Sequence, residues 1–182
     1  MRRVQTERRS MLKKVRICIH TKQREIGGTL FDAPEKASAP SQAIHAEPQK
    51  IELVVEGSYY DDGTRISISY KDGELTGMEN SRTTLSFQKS EPSLITMTRD
   101  GAVRTALIFE AGRRHMCVYQ TPYIPLEVAV KTKQVENRIE EKGTLHLQYT
   151  VELKGANAEQ TEFSMILLPD IDKPRSKSGP PA

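Results

Sequence analysis

The chain has 182 residues, with 27 Lys and Arg against 24 Asp and Glu for a net charge of +3, and 36% hydrophobic residues. That length supports one domain with a real core, and two cysteines are too few for a disulfide framework. No apolar run reaches the roughly 18 residues of a membrane-spanning helix, and no apolar stretch of the secretory-signal kind follows the basic start, so a cytoplasmic protein is expected.

The charge is unevenly spread. Residues 1–25 hold nine basic and two acidic side chains, whereas residues 26–169 hold 15 basic and 20 acidic ones. Arg2, Arg3, Arg8, Arg9, Lys13 and Lys14 make residues 1–14 a basic arm. Such an arm can meet a phosphate backbone or an acidic partner by displacing counterions. No aromatic residue interrupts it to stack on bases. A solvated lead-in is therefore the favoured reading, and a nucleic-acid or acidic-partner interaction module is the alternative.

In chain order, Val15, Ile17 and Ile19 alternate with Arg16, Cys18 and His20, the period of a strand. Residues 27–49 are rich in Pro, Ala and Ser and hold no period, so they read as an insertion or linker, with weak support for a helical turn near 34–46. From Ile51 strands follow one another. The runs 51–60, 66–70, 83–88, 93–99, 103–110 and 115–121 are separated by turn residues such as Asp61-Asp62-Gly63, Lys71-Asp72-Gly73, Asp100-Gly101 and Ala111-Gly112. Pro122 and Pro125 bracket the next change of direction. The runs 126–131 and 135–140 are joined by a bend after Thr132. Lys142-Gly143 turns into 145–153, Gly155 turns again, and 163–167 ends the series. The segment 169–182, made of Lys, Ser, Pro and Gly, is expected to be disordered.

This pattern gives about ten or eleven strands, no convincing helix and no long crossover after Ile51. The predicted fold is all-β, a single antiparallel up-and-down barrel over 15–168, because closure removes exposed sheet edges. The core is assigned to the apolar residues of 51–55, 66–70, 83–87, 103–109, 126–130, 145–153 and 163–167.

Four stretches carry a resemblance. They are Glu74-Leu75-Thr76-Gly77-Met78-Glu79 with Thr83-Thr84-Leu85; Arg99-x-Gly101; Phe109-Glu110-x-Gly112 with Tyr119-x-Thr121-Pro122-Tyr123; and Lys142-Gly143-x-Leu145-x-Leu147-x-Tyr149. In that order and spacing the sequence resembles the YwiB-like proteins, over Val15 to Leu168 without 27–49. The resemblance implies a calycin-like (lipocalin-like) barrel of about 8–11 strands, a cytoplasmic bacterial setting and no established activity. Two positions depart from the family pattern. Ile124-Pro125 follows Thr-Pro-Tyr where Gly is usual, so that turn must be shaped differently. Asn80-Ser81 stands where the family tends to have Gly-Thr, and Asn can take a positive φ there.

The residues offer little for catalysis. His20, His45, His115 and His146 are scattered, and the two cysteines, Cys18 and Cys117, stand alone. His115 and Cys117 are the one local pair singled out, two apart on a strand, and without further ligands no metal is expected. There is no Gly-x-Ser-x-Gly elbow and no phosphate-binding glycine loop. The acidic pairs Asp61-Asp62 and Glu140-Glu141 sit in or beside turns. A non-catalytic protein with no cofactor is the expectation. The candidate ligand site is the barrel mouth: Arg99 for an anionic group, with His115, Tyr119 and Tyr123 around it. The ligand implied is small, anionic or amphipathic. The large apolar residues assigned to the core argue against a roomy lipid-type cavity.

Overall fold

The computed structural model describes residues 10–25, 47–72, 81–153 and 156–168, with side chains in the last stretch from Glu159 onward. Arg2, Arg3, Arg8 and Arg9, the Gly77 motif, the tail from 169 and nearly all of the 27–49 insertion, with the turn considered near 34–46, lie outside the described residues.

The described residues form ten strands: β1 (Met11–Glu25), β2 (Gln49–Asp61), β3 (Arg65–Lys71), β4 (Arg82–Gln88), β5 (Glu91–Asp100), β6 (Thr105–Phe109), β7 (Arg114–Gln120), β8 (Pro125–Arg138), β9 (Thr144–Leu153) and β10 (Ala156–Leu168). They make one sheet in the order β6-β5-β4-β3-β2-β1-β10-β9-β8-β7. Its ladders are antiparallel throughout. The sheet curls until its two outer strands meet at an isolated bridge, Arg104 to Gln120. The result is the all-β, nearly closed barrel that the alternation predicts. The tight Asp-Gly turns do their part. At 61–65 the Asp62 carboxylate accepts from the Thr64 hydroxyl and from the Thr64 and Arg65 amides. Those bonds pull its pKa down to about 2.

Four local expectations change. The run 126–131 and residues 135–138 are one strand, β8, and the bend after Thr132 is a register shift against β9 between Thr132 and Gln134. A single helical turn, α1 (Ile139–Lys142), follows and is stopped by Gly143 at φ 68°. Its four residues are too few to leave a helical period in the sequence. Meander spacing also implies a hairpin between β6 and β7, yet they meet only at the bridge. The connecting turn is tied to β8 instead, with the Gly112 amide donating to the Thr132 carbonyl and the Thr132 amide to the Arg113 carbonyl, at 2.9 and 3.0 Å. Lastly, β1 begins at Met11, so Lys13 and Lys14 are strand residues rather than part of an arm. The Lys13 ammonium sits 4.6 Å from the centre of the Tyr59 ring.

The inner face carries the core. Ile17, Ile66, Ile95, Val130, Leu147, Phe109 and Met165 are fully buried, and the Phe109 and Tyr149 rings meet at 4.7 Å. Leu53 and Val55 pack against it part-buried. Three large apolar residues of the assigned runs are instead exposed: Val54, Leu126 and Ile166, at 52%, 37% and 38%. Val54 and Ile166 both pair with Cys18 and take the outward parity of their strands.

Gly57 of β2 lies between Val15 of β1 and Tyr70 of β3. A Cβ there would stand 2.5 Å from Ile17 Cδ1 and 2.6 Å from the Ser69 carbonyl oxygen. Gly57→Ala is expected to destabilise the barrel by about 1–3 kcal/mol through overpacking. A lowered urea midpoint with unchanged slope checks this; an unchanged midpoint would show that the strands have room.

Candidate functional site

Antiparallel order gathers the starts of the odd strands at one barrel end and their finishes at the other. The first end is braced by ions and a plug. Lys89 Nζ lies 2.7 Å from Asp61 and 3.1 Å from Glu140, and Ile139 of α1 is buried. The Lys89 hydrogen bond holds the Asp61 carboxyl below its usual range.

The second end is polar inside. Thr83 opens β4 on the inner face and is fully buried. Its hydroxyl donates to Asp72 Oδ2 at 2.6 Å and accepts from Arg99 Nε at 3.3 Å. The Asp72 amide donates to the Ser81 carbonyl at 2.9 Å, closing the neck between β3 and β4. Across the barrel, Glu159 Oε1 accepts from Thr161 at 2.7 Å and from Gln23 at 3.1 Å. Burying polar groups is costly unless they are paired, and these are paired with one another. Two hydroxyls are exceptions, with no hydrogen-bond partner among the described residues: Thr105, 7% exposed and in register with Arg99, and Thr132, in register with Tyr149.

Three tyrosines complete this end. Burial pushes the Tyr70, Tyr119 and Tyr149 hydroxyls above their ordinary range, and in each case the positive charge of Arg99 pulls the other way. Beside them lies a pocket of about 90 Å3, with Ile51, Leu53 and Phe163 as apolar wall and Gln23, Asp72 and Arg99 as polar wall. Arg99 and Thr105 also line a more open groove of about 360 Å3 at the seam between β6 and β7.

Of the four predicted mouth residues, the structure brings two together, Arg99 and Tyr119. His115 shares the inner face of β7 with Tyr119 but stands four residues away, about 13 Å along a strand. It belongs to the opposite end, where its Nε2 lies 3.1 Å from Glu110. Tyr123 is at the correct end but 92% exposed. The Thr121 hydroxyl, donating to the Ile124 carbonyl at 2.6 Å and accepting from the Ile124 amide at 3.1 Å, folds the turn so that Tyr123 points outward. That hydroxyl supplies the different turn shape that Ile124-Pro125 demands. Cys117 is half-buried, and burial raises its thiol pKa, which works against reactivity.

Sequence reasoning missed Asp72, Thr83, Glu159 and Thr161. Thr83 has the parity of Leu85 and Phe87, so its inward direction was readable. Asp72 was hidden because it also suits a turn.

A nearly closed antiparallel barrel, apolar through its middle and polar inside one end, is the class these observations define. Residues 38–165 match the family model described as a domain of unknown function (DUF1934), and the chain belongs to that family. The fold is similar to that in the crystal structure of the YwiB protein from Bacillus subtilis, with a TM-score of 0.60 at 18% identity, covering 87% of this chain and 96% of that one. The YwiB-like resemblance of the motifs is thereby borne out, and at that identity the likeness carries the fold alone. No curated protein matches the sequence. Among the described residues no helix is long and apolar enough to cross a membrane.

The raised tyrosines fix a pH dependence. The unfolded chain releases these protons near an ordinary pKa of 10.0, while the folded barrel holds them. Stability is therefore full below pH 10.0 and falls as pH rises above it. Ultraviolet titration should find Tyr70 and Tyr149 ionising only as the barrel opens, with Tyr149→Phe removing one late step. All six tyrosines titrating together near 10 would contradict the burial.

Proposed function

We propose that this is a non-catalytic binding protein of the calycin-like kind that takes a small amphipathic anion in the barrel mouth. The observation that carries the reading is Arg99, held on the inner face at the mouth beside the Thr105 hydroxyl, which has no hydrogen-bond partner among the described residues. A charge-assisted hydrogen bond from a guanidinium is roughly twice as strong as a neutral one, and Thr105, in register with Arg99 on the side of the adjoining groove, supplies a second donor.

The size of the pocket limits the ligand. A liquid water occupies about 30 Å3, so about 90 Å3 holds a carboxylate head and a short chain. Ile51, Leu53 and Phe163 offer that chain an apolar wall. The interior beyond is filled by Phe109, Met97 and Ile95, which disfavours a long acyl chain.

The test is heteronuclear NMR on labelled protein with a series of short-chain carboxylates. Saturable shifts of the Arg99, Thr105 and Tyr119 amides are expected for the wild type. Arg99→Met and Thr105→Val should abolish or weaken them while keeping the dispersed spectrum of a folded barrel. Absence of saturable shifts, or equal shifts in Arg99→Met, would remove the proposal.

A further inference from the structure

The outer face of the barrel carries a second cluster, separate from the mouth. Cys18 and His20 are two apart on β1, and the alternation that buries Ile17 and Ile19 turns both outward. Glu52 of β2 pairs directly with His20. Cys18 Sγ is 3.2 Å from His20 Nε2, and His20 Nδ1 is 3.7 Å from Glu52 Oε2. One ligand atom from each residue lies within 4.8 Å of the other two, the one such group of three among the described residues.

We infer that Cys18, His20 and Glu52 form a binding site for a divalent transition metal, with zinc the ion the donor set fits. A thiolate and an imidazole select zinc over magnesium or calcium, and a carboxylate is a common third ligand. Ligand bonds of about 2.0–2.3 Å place tetrahedral donor atoms roughly 3.3–3.8 Å apart, close to the separations present. The two existing contacts use opposite nitrogens of His20, so one side chain must turn for all three to share a metal. Glu52 can do so, because its side chain is 71% exposed.

The backbone under the site is rigid. β1 is hydrogen-bonded on both flanks, to β2 at Cys18↔Val54 and His20↔Glu52 and to β10 at Cys18↔Ile166 and His20↔Ser164. Ligands on such strands are preorganised. His20 and Glu52 also line a groove of about 370 Å3 with Lys22, Lys50, Glu162 and Ser164. Three protein ligands beside an open groove leave the fourth position to water or a small anion, with the two lysines on its rim.

The cluster was overlooked in the sequence for a topological reason. His115 and Cys117 drew attention at a spacing of two, and Cys18 and His20 stand at the same spacing. Their third partner lies 32 residues on from His20, beyond the 27–49 stretch, and only strand pairing brings it alongside.

Full-length reduced protein titrated with Zn2+ against a chromophoric chelator, and separately with Co2+, tests the site. The expected result is one ion per chain and a thiolate-to-cobalt charge-transfer band. Cys18→Ser should abolish the band. His20→Gln and Glu52→Gln, at side chains 43% and 71% exposed, should each weaken binding by about tenfold or more while the barrel stays folded. Cys117→Ser should leave binding and band unchanged. The inference is overturned by absence of 1:1 binding, by a cobalt spectrum without the thiolate band, or by a band that follows Cys117 instead. The mouth variant Arg99→Met should bind zinc normally, so the outcome is independent of the ligand reading.

Discussion

The barrel depends on one constraint: β1 must be hydrogen-bonded on both sides at once. It pairs with β2 from Met11↔Asp61 to Gln23↔Gln49 and with β10 from Arg16↔Leu168 to Glu25↔Glu159. The second ladder joins residues about 140 apart in sequence, the largest loop-closure cost in the molecule. Until it forms, the sheet is two separate arms, β1 to β6 and β7 to β10, each with one apolar face in water. Once it forms, Ile17 and Ile19 enter the same core as Phe163 and Met165.

Closure also decides where polar groups can be afforded. The middle of the barrel is crossed by side chains from all sides and fills with Ile, Leu, Met and Phe, leaving no partner for a polar atom. At the ends, strands stop and hydroxyls, carboxylates and guanidinium groups can reach each other or water. The two ends solve this differently. One ties Lys89 to two carboxylates over the buried Ile139. The other distributes small hydroxyls, Thr83 and Thr161, between charged groups. That second arrangement leaves a pocket between Asp72, Arg99 and the apolar wall.

Much of the fold was legible because period-two alternation and Asp-Gly turns are local signals. Ile66-Ser67-Ile68-Ser69-Tyr70 between two such turns can hardly be anything but a half-buried strand. Arg99 and Tyr119 were also legible as inward residues, since parity propagates along a strand from any clearly buried neighbour. Parity gives the face but not the height, which is why His115 was grouped with Tyr119 although the two lie at opposite ends. Direction in a turn was not legible either: Tyr123 is turned out by a hydroxyl two residues earlier, a contact without periodic trace. Pairings between distant strands, Cys18 and His20 with Glu52 or Gln23 with Glu159, leave no local pattern at all.

The seam between β6 and β7 bears on the chain's connectivity. The spatial order β7-β8-β9-β10-β1-β2-β3-β4-β5-β6 is that of a plain meander read from a different starting point. The start of β1, the finish of β10 and the turn between β6 and β7 all fall at the same end of the barrel. A gene rearranged to run β7 to β10 and then β1 to β6 would keep every ladder and make each one a link between consecutive strands. The long-range pairing on which closure rests would become a local hairpin, and the break in the chain would coincide with the gap that the sheet already has.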